Sequence, residues 1–587
     1  MKKVWRPKIA PNGVEGAVTS DLLRSLLAKR GLTTQSEIEN FLAPDYDRDL
    51  HDPFLLLDMA RAAARILVAI KDNDRIAIFA DYDADGVPGA AVLAAFFKQI
   101  NFQNFTVYIP DRHEEAYGLN NQALAALAQD GVKLIITVDC GVSDVGPVAE
   151  ANRLGLTAII TDHHLTPEIL PDAYAIVNPK RAGDPYPYKM LAGAGVVFKL
   201  VQALVRVVLK KIPRTTLGND ENFLTAPINN HWEKWLLDLV AIATVSDLVP
   251  LTGENRALVH FGLKVLRQTR RLGLRQLLDE LNLAPEFVTE DDIGFSIGPR
   301  LNAASRMSHG AEAYALLTAE NETEAVRLAR HLELKNKERR SRVDEILNSP
   351  QLNDLTASPV FVLGNPAWPL GVLGLAAARL TEKYYCPVFL WGENGRQEIK
   401  GSCRSDGTVN IVELMKLADE LAAPAAGGVN LFLNYGGHAG AGGFSLRRER
   451  LSELATHLQT AYQQLAKSPT NQDNLFYDSE LTLADLTPDT YAILEKLSPF
   501  GLDNPKPIFF LPDLTPVSQR AFGNSANHWE LTFRSPGGGT MRAVQFFAPP
   551  PAGNPPRRLD LLANLEKSYY RRRPELRLRI IDWRAAI

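Results

Sequence analysis

Hydrophobic positions set out the parts of this chain before any chemistry is considered. Five apolar residues in a row, Ile76 to Ala80, read as a β-strand buried on both faces. A helix over 58–72 precedes it, and Pro88 suits the first turn of a following helix carrying GAAVLAAFFKQI. FTVYIP, LIITVD, LTAIITD and AYAIVNP read as further strands, with a helix over NQALAALAQDG ended by Gly131 and another reaching about Asn152. This alternation predicts an α/β domain with a doubly wound parallel sheet over 51–250. Upstream, 1–50 reads as a small helical cap with a structural role, Thr34 and Glu37 having capping-box spacing. Residues 251–350 read as a charge-rich helical connector. PVFVLGN, a helix around GVLGLAAARLTEKY and PVFLWG open a second, smaller α/β unit over 351–468. Over 469–587, DSELTL, PIFFL, HWELTFR, MRAVQFF, RLDLLANLE and ELRLRIIDW predict a small β-barrel, with a loop over 548–557.

Composition narrows the class. A length of 587 residues fits about three to five domains, and 46% hydrophobic with 22% charged residues is ordinary for a soluble globular protein. No apolar run is long enough for a bilayer, and MKKVWRPKIAPNG lacks the apolar core of a secretory signal. Cys140, Cys386 and Cys403 are odd in number and far apart, which fits a reducing cytoplasm and gives no zinc pattern. The net charge is −4, so if the partner is nucleic acid, positive charge must be local. Lys and Arg cluster at Arg267, Arg270, Arg271 and Arg275, and again at Lys335, Lys337, Arg339, Arg340 and Arg342; a solvated helix face is the usual meaning.

Candidate chemistry gathers where the predicted strands end. Asp81, Asp83 and Asp85 follow the first strand within five residues, Asp139 follows another, and Asp162 a third, with His163 and His164 next to it. The DxDxDG start is that of an EF-hand loop, but Val92, not Glu, is twelfth from Asp81, which argues against one. A lone strand-end Asp is often a helix N-cap, but three acids and a His pair outside the carboxyl ends of a parallel sheet point to a metal site. Asp247 ends the apolar run WLLDLVAIATVSD and is a fourth candidate; Asp238 reads as an outlying residue. Gly436, Gly437, Gly440, Gly442 and Gly443 flank His438, which permits close backbone approach to a phosphate or sugar; a tight turn is the alternative. Tyr569, Tyr570, Arg571, Arg572 and Arg573 suit a stacking platform, or an exposed hairpin.

DYDADG, TVDCG, TDHH and ATVSDLVPL, in this order, resemble the four motifs of the DHH phosphoesterase superfamily. YIPDRHEEAYGL, LAGAGVVFKL, LTGENR, GPRLNAASRM, YGGHAGAGGF and PFGLDNPKPIF are similar to its bacterial RecJ family, and the likeness runs from about residue 20 to 585. That resemblance implies a DHH catalytic domain, a DHH-associated nucleic-acid-binding domain after the connector, and a C-terminal OB fold. It implies a metal-dependent exonuclease acting on single-stranded DNA from the 5′ end in repair and recombination, in the cytoplasm and off the membrane. A helicase or a single-strand-binding protein is the implied partner. Asp81, Asp83, Asp85, Asp139, His163 and Asp247 become the expected ligands of two Mn²⁺ or Mg²⁺ ions, with Asp139, His164 and Asp162 as catalytic groups. Arg300, Arg404, Ser405, Gly437 and His438 become expected DNA contacts. The alternatives are an oligoribonucleotide or cyclic-dinucleotide phosphodiesterase, opposed by the long connector and barrel, and an inactive DNA-binding scaffold, opposed by intact acids in all four motifs. The chain departs from the family pattern at Pro88-Gly89, Ser305, Cys403 and Pro369, the last standing where a His is usual.

Overall fold

The computed structural model describes residues 3–10, 20–115, 117–209, 228–352, 358–393, 398–423, 430–466, 474–523, 526–548, 550, 557–569 and 574–586. Two compact units emerge. One comprises Met1–Tyr108, Asn121–Gly298 and Asp473–Ile587; the other comprises Ile109–Asn120 and Pro299–Gln472. The division falls after Gly298, inside the stretch expected to act as a connector.

The first unit contains the predicted parallel sheet. Its spatial order is Phe105–Tyr108, Arg75–Ala80, Val132–Val138, Thr157–Thr161 and Ala175–Val177, with every pair parallel. Order therefore reverses between Arg75–Ala80 and Val132–Val138, the position at which open α/β sheets bind ligands. Ile76 to Ala80 are fully buried, as expected of a strand covered on both faces. Right-handed crossovers put Gly86–Gln99 on one face and Asn121–Gln129 with Val145–Arg153 on the other. Gly86–Gln99 and Gly193–Val208 are apolar nearly all round, and both are buried nearly all round.

The two ends of the chain close on this unit. Helices Asp21–Ala28 and Gln35–Leu42 form with the expected Thr34–Glu37 capping box. Their Leu23, Leu26, Leu27 and Ile38 share one core with Phe509, Leu511, Trp529 and Leu531 of the C-terminal strands, and Val4–Pro7 pairs with Asn474–Tyr477. The C-terminal sheet has seven strands in the order Ser479–Glu480, Phe509–Leu514, Leu559–Ser568, Glu575–Ala585, Thr540–Gln545, His528–Arg534 and Pro516–Phe522. Six lie in the predicted segments. Pro516–Phe522 is additional: it is a largely exposed edge strand, so PVSQRAF lacks the apolar alternation that announces a strand. Helix Pro488–Glu495 is also additional, capped by Thr487 with Pro488 in its first turn.

The LTGENR motif fastens these parts together. Glu254 pairs with fully buried Lys199 and takes the Tyr186 hydroxyl at 2.7 Å, while Asn255 donates to the carbonyls of Met190 and Pro250. Arg256 donates to Phe41 O at 3.0 Å and Leu497 O at 2.9 Å, joining the N-terminal helices to the C-terminal domain. Three buried polar side chains, each with partners, make this a locking device rather than a site.

The second unit has a mixed sheet in the order Asn434–His438, Ala441–Arg447, Glu398–Arg404, Val388–Glu393 and Phe361–Gly364. Helices Leu370–Tyr384, Ile411–Ala422 and Leu451–Leu465 accompany it, with the 26-residue helix Glu322–Leu347. Among the described residues no helix is long and apolar enough to cross a membrane.

Candidate metal centre

Backbone pairing fixes the acids at the strand ends. The Asp81 N–H donates to Val138 O at 3.1 Å, that of Asp139 to Thr161 O at 3.0 Å, and that of Asp162 to Val177 O at 3.1 Å. Each ladder thus runs one residue past its strand, and the next side chain meets the switch point. Asp139 takes a left-handed φ of +62°, a backbone strain that the surrounding structure must hold in place. Asp83 Oδ1 accepts the N–H groups of Asp85 at 2.8 Å and Gly86 at 3.2 Å, turning the chain into the helix Gly86–Gln99. The Asp85 oxygens accept from Gly193 N–H at 2.6 Å and Ala194 N–H at 2.7 Å, where a helix N-terminus favours an anion. A side chain at Gly193 would put its Cβ 2.6 Å from Asp139 Oδ1, so only glycine lets that helix start so close. Asp247 arrives at the C-terminal end of Leu237–Ser246.

His163 shows what this arrangement needs. Its Nδ1 lies 3.0 Å from Leu191 O and donates to it, which leaves Nε2 with a lone pair. Buried Nε2 meets no hydrogen-bond partner, yet it sits 3.1 Å from Asp139 Oδ1, 3.6 Å from Asp247 Oδ2 and 3.7 Å from Asp85 Oδ2. Burial, and then neighbouring His164, push the imidazole down to about 3, so these contacts are not ion pairs. A neutral lone pair and three carboxylates facing one point repel one another. Burial and then Asp83 raise Asp85 to about 7; burial, Asp85 and Asp83 raise Asp247 to about 8. Asp139 stands well above its ordinary value, from burial and then its acidic neighbours. A bound cation would relieve this repulsion and draw each carboxyl back toward its charged form.

Ligand atoms lie within 4.8 Å of one another in three sets: Asp85, His163 and Asp247; Asp81, Asp83 and Asp139; and Asp139, His163 and His164. The first two sets define two neighbouring positions, with Asp139 adjoining both. Carboxylate oxygens with one imidazole suit Mn²⁺ or Mg²⁺, and the residues present therefore fit two such ions.

Asp162, expected as a catalytic group, has both carboxylate oxygens engaged within its own loop and its neighbour. Its Oδ1 accepts from His163 N–H at 2.7 Å and from His164 N–H and Nδ1 at 3.1 and 2.8 Å, and its Oδ2 accepts from Val142 N–H at 3.0 Å. With its oxygens so occupied, Asp162 positions the loop and His164. Although burial opposes it, the Asp162 hydrogen bond raises His164 to about 9, making it a half-exposed cation beside the acids. Lys180, which the sequence reading passed over, lies in the field of Asp247, Asp162 and Asp139; burial holds its amine below the usual range. Asp238 is buried and holds Thr269 and Arg271, outside all three ligand sets.

The expected DNA contacts belong to the second unit. Arg404 is half-buried at the end of Glu398–Arg404; burial, and beyond it the charge of Arg112, hold its guanidinium below the usual range. A Cβ at Gly374 would lie 2.9 Å from Arg404 Nη2 and 3.1 Å from Ser402 Oγ, so Ser402 and Arg404 share one small recess. Ser402 and Arg112, neither among the expected residues, thus lie near Arg404. Ser405 does not present its hydroxyl: it donates to Val409 O at 2.6 Å and accepts from Gly407 N–H at 3.0 Å, closing a turn. Arg300 is likewise drawn inward, largely buried with its Nε 2.9 Å from Glu333. Gly437 has φ +142° and pairs with Gly442 across a hairpin, and exposed His438 accepts from Gly440 N–H at 3.3 Å. Tyr569 stacks one face on Phe287 at 4.4 Å; Tyr570, Arg571, Arg572 and Arg573 lie outside the described residues.

A switch-point centre of acids and one histidine, on a doubly wound sheet, is that of a DHH-type metal-dependent phosphoesterase. Residues 75–244 match the DHH family, N-terminal domain, 357–466 the DHHA1 domain and 477–582 the RecJ OB domain. The single-stranded-DNA-specific exonuclease RecJ of Haemophilus influenzae is 31% identical over 549 residues, covering 92% of this chain and 91% of its own. That of Bacillus subtilis is 36% identical over 523 residues and 88% of this chain, which spans only 61% of that relative's length. The crystal structure of Thermus thermophilus RecJ with Mn²⁺ shares the fold, with a TM-score of 0.77 at 24% identity, over 99% of this chain and 80% of that one. The chain belongs to the RecJ family.

Proposed function

We propose that this chain is a metal-dependent exonuclease that hydrolyses phosphodiester bonds of single-stranded DNA from the 5′ end, in DNA repair and recombination. The observation that carries the reading is the convergence of Asp81, Asp83, Asp85, Asp139, His163 and Asp247 on two adjoining cation positions. These residues would hold two divalent ions, which would supply acidification of a water and neutralisation of phosphate charge. The acids hold those positions, and the Leu191 carbonyl keeps His163 in the tautomer that offers Nε2. His164, a cation on Asp162, meets the scissile phosphate or the leaving oxygen. Ser402, Arg404 and Arg112 take a backbone phosphate near the 5′ end, assisted by Gly437 and His438. A helicase that opens duplex, or a single-strand-binding protein that holds the unpaired strand, is the class of partner such an enzyme needs. Three buried free thiols accord with work in the cytoplasm.

A C-terminal sheet built into the same compact unit as the metal centre favours a polymeric substrate over a dinucleotide. The test is degradation of labelled single strands, duplexes and dinucleotides in Mn²⁺, with and without chelator. The reading expects chelator-sensitive loss of nucleotides from the 5′ end of single strands. Preference for dinucleotides, or no hydrolysis of any of them, overturns it.

A further inference from the structure

The segment leading out of the first unit contains a single turn of π-helix, Ile293–Ile297, a conformation often found at functional positions. Ile293 and Ile297 are buried, whereas Phe295 between them is 64% exposed. The turn is packed against the helix that delivers Asp247. A Cβ at Gly294 would sit 3.8 Å from Val245, and one at Gly298 would sit 2.5 Å from Ser246 Oγ. Phe295 therefore rides on the element beside the metal centre, with its ring offered to solvent.

On its other side lies a row of arginines and rings. The Arg579 guanidinium is 5.7 Å from the Phe295 ring centre and 5.7 Å from that of Phe546; Arg577 is 5.4 Å from Phe546. Both arginines alternate with buried Leu578 and Ile580 along Glu575–Ala585, so both point to the outer face. Arg577 is also tied to Glu566 at 2.6 Å, whereas Arg579 lies near both rings. Past Phe546 stands His528, 5.5 Å away, which packs on Phe547, itself 79% exposed. An apolar protein partner would ask for a continuous greasy patch. Here ring faces and guanidiniums alternate, as bases and phosphates do along an unpaired strand.

We propose that Phe295, Arg579 and Phe546 form a stacking track that carries unpaired bases beside the metal centre, Phe295 being its nearest platform. The assignment rests on the reading of the chain as a single-strand nuclease. It adds a positioning residue on the π-turn and a route on the C-terminal domain that differs from the expected Tyr569 platform.

The experiment uses the full chain in chelator with oligodeoxythymidylates of increasing length, plus a set of long strands carrying one 2-aminopurine at successive positions. Phe295→Ala is expected to weaken binding of long strands by about 5- to 100-fold, the range of one lost base–aromatic stack. Phe295→Tyr is expected to restore it, and the penalty should vanish as the strand shortens. One 2-aminopurine position should be quenched by the parent chain and not by Phe295→Ala. Equal binding by parent and Phe295→Ala at every length would overturn the track and leave this face to a protein partner. An equal loss at all lengths, together with weakened Mn²⁺ binding in a separate titration without chelator, would overturn it too, placing Phe295 in support of Asp247. If the parent itself fails to bind single strands, the nuclease reading fails first, an outcome distinct from both.

Discussion

The metal centre and the Arg404 recess are both built at strand ends, and they are built in opposite ways. At the centre, Asp81, Asp85 and Asp139 are each at most 5% exposed, and backbone N–H groups or a strained φ hold them. Around the recess, the hairpin Asn434–His438 is mostly exposed, and its backbone is freed by glycines at 436 and 437. The contrast fits the two tasks proposed for these regions. Hydrolysis needs charges fixed before the transition state forms, and burial makes each of them stronger. Holding a strand that must advance after every cut needs contacts that are open and individually modest.

The largest break in this contrast is Asp139→Ala. It removes the carboxylate adjoining both cation positions, so turnover is expected to fall by more than the roughly 10–100-fold that losing an outer partner of a metal ligand costs. Circular dichroism should report an intact fold. Near-normal turnover by the folded variant would contradict the shared role.

The next test uses protons. Asp85 at about 7 and Asp247 at about 8 hold protons at pH 6 that the unfolded chain has already lost. The sign follows: folded values above the unfolded ones mean that the metal-free protein is favoured at low pH. It loses that stability as pH rises from the ordinary carboxylate range through about 8. Mn²⁺ must displace these protons, so its affinity should climb between pH 6 and 8 by up to about two powers of ten per unit, then level off. Titration calorimetry at several pH values checks it; a flat profile would show that the acids are not shifted.

The smallest expected effect is that of Arg404→Ala. Loss of one charged hydrogen bond to phosphate should raise KM for single strands roughly tenfold or more, with the burden on KM rather than kcat. Loss of Mn²⁺ affinity in that variant would show that the recess and the metal centre are not separate tasks.

Much of the neighbourhood of the centre was legible in the sequence, because unbroken apolar runs mark strands buried on both faces and Asp81, Asp139 and Asp162 each follow directly on the end of one. What stayed hidden depends on residues far apart in the chain. Arg112 and Ser402 join Arg404 only through tertiary packing, and Lys180 follows an ordinary NPK turn. Nor does a motif show that Arg300 Nε faces Glu333 or that the Ser405 hydroxyl closes a turn, since both partners come from the folded chain. Nor could hydrophobic spacing say which sheet the N-terminal helices would cover. Because Leu23, Leu26 and Leu27 lie in the C-terminal core, deleting that domain would uncover them, and point changes such as Phe295→Ala probe its role more cleanly.

The most direct measurement of the central claim is anomalous scattering from crystals grown with Mn²⁺. Two peaks about 3.5–4 Å apart are expected, the separation of two-metal hydrolytic sites. One should lie among Asp85, His163 and Asp247, the other among Asp81 and Asp83, with Asp139 between them. A single peak, or peaks away from these residues, would contradict the account.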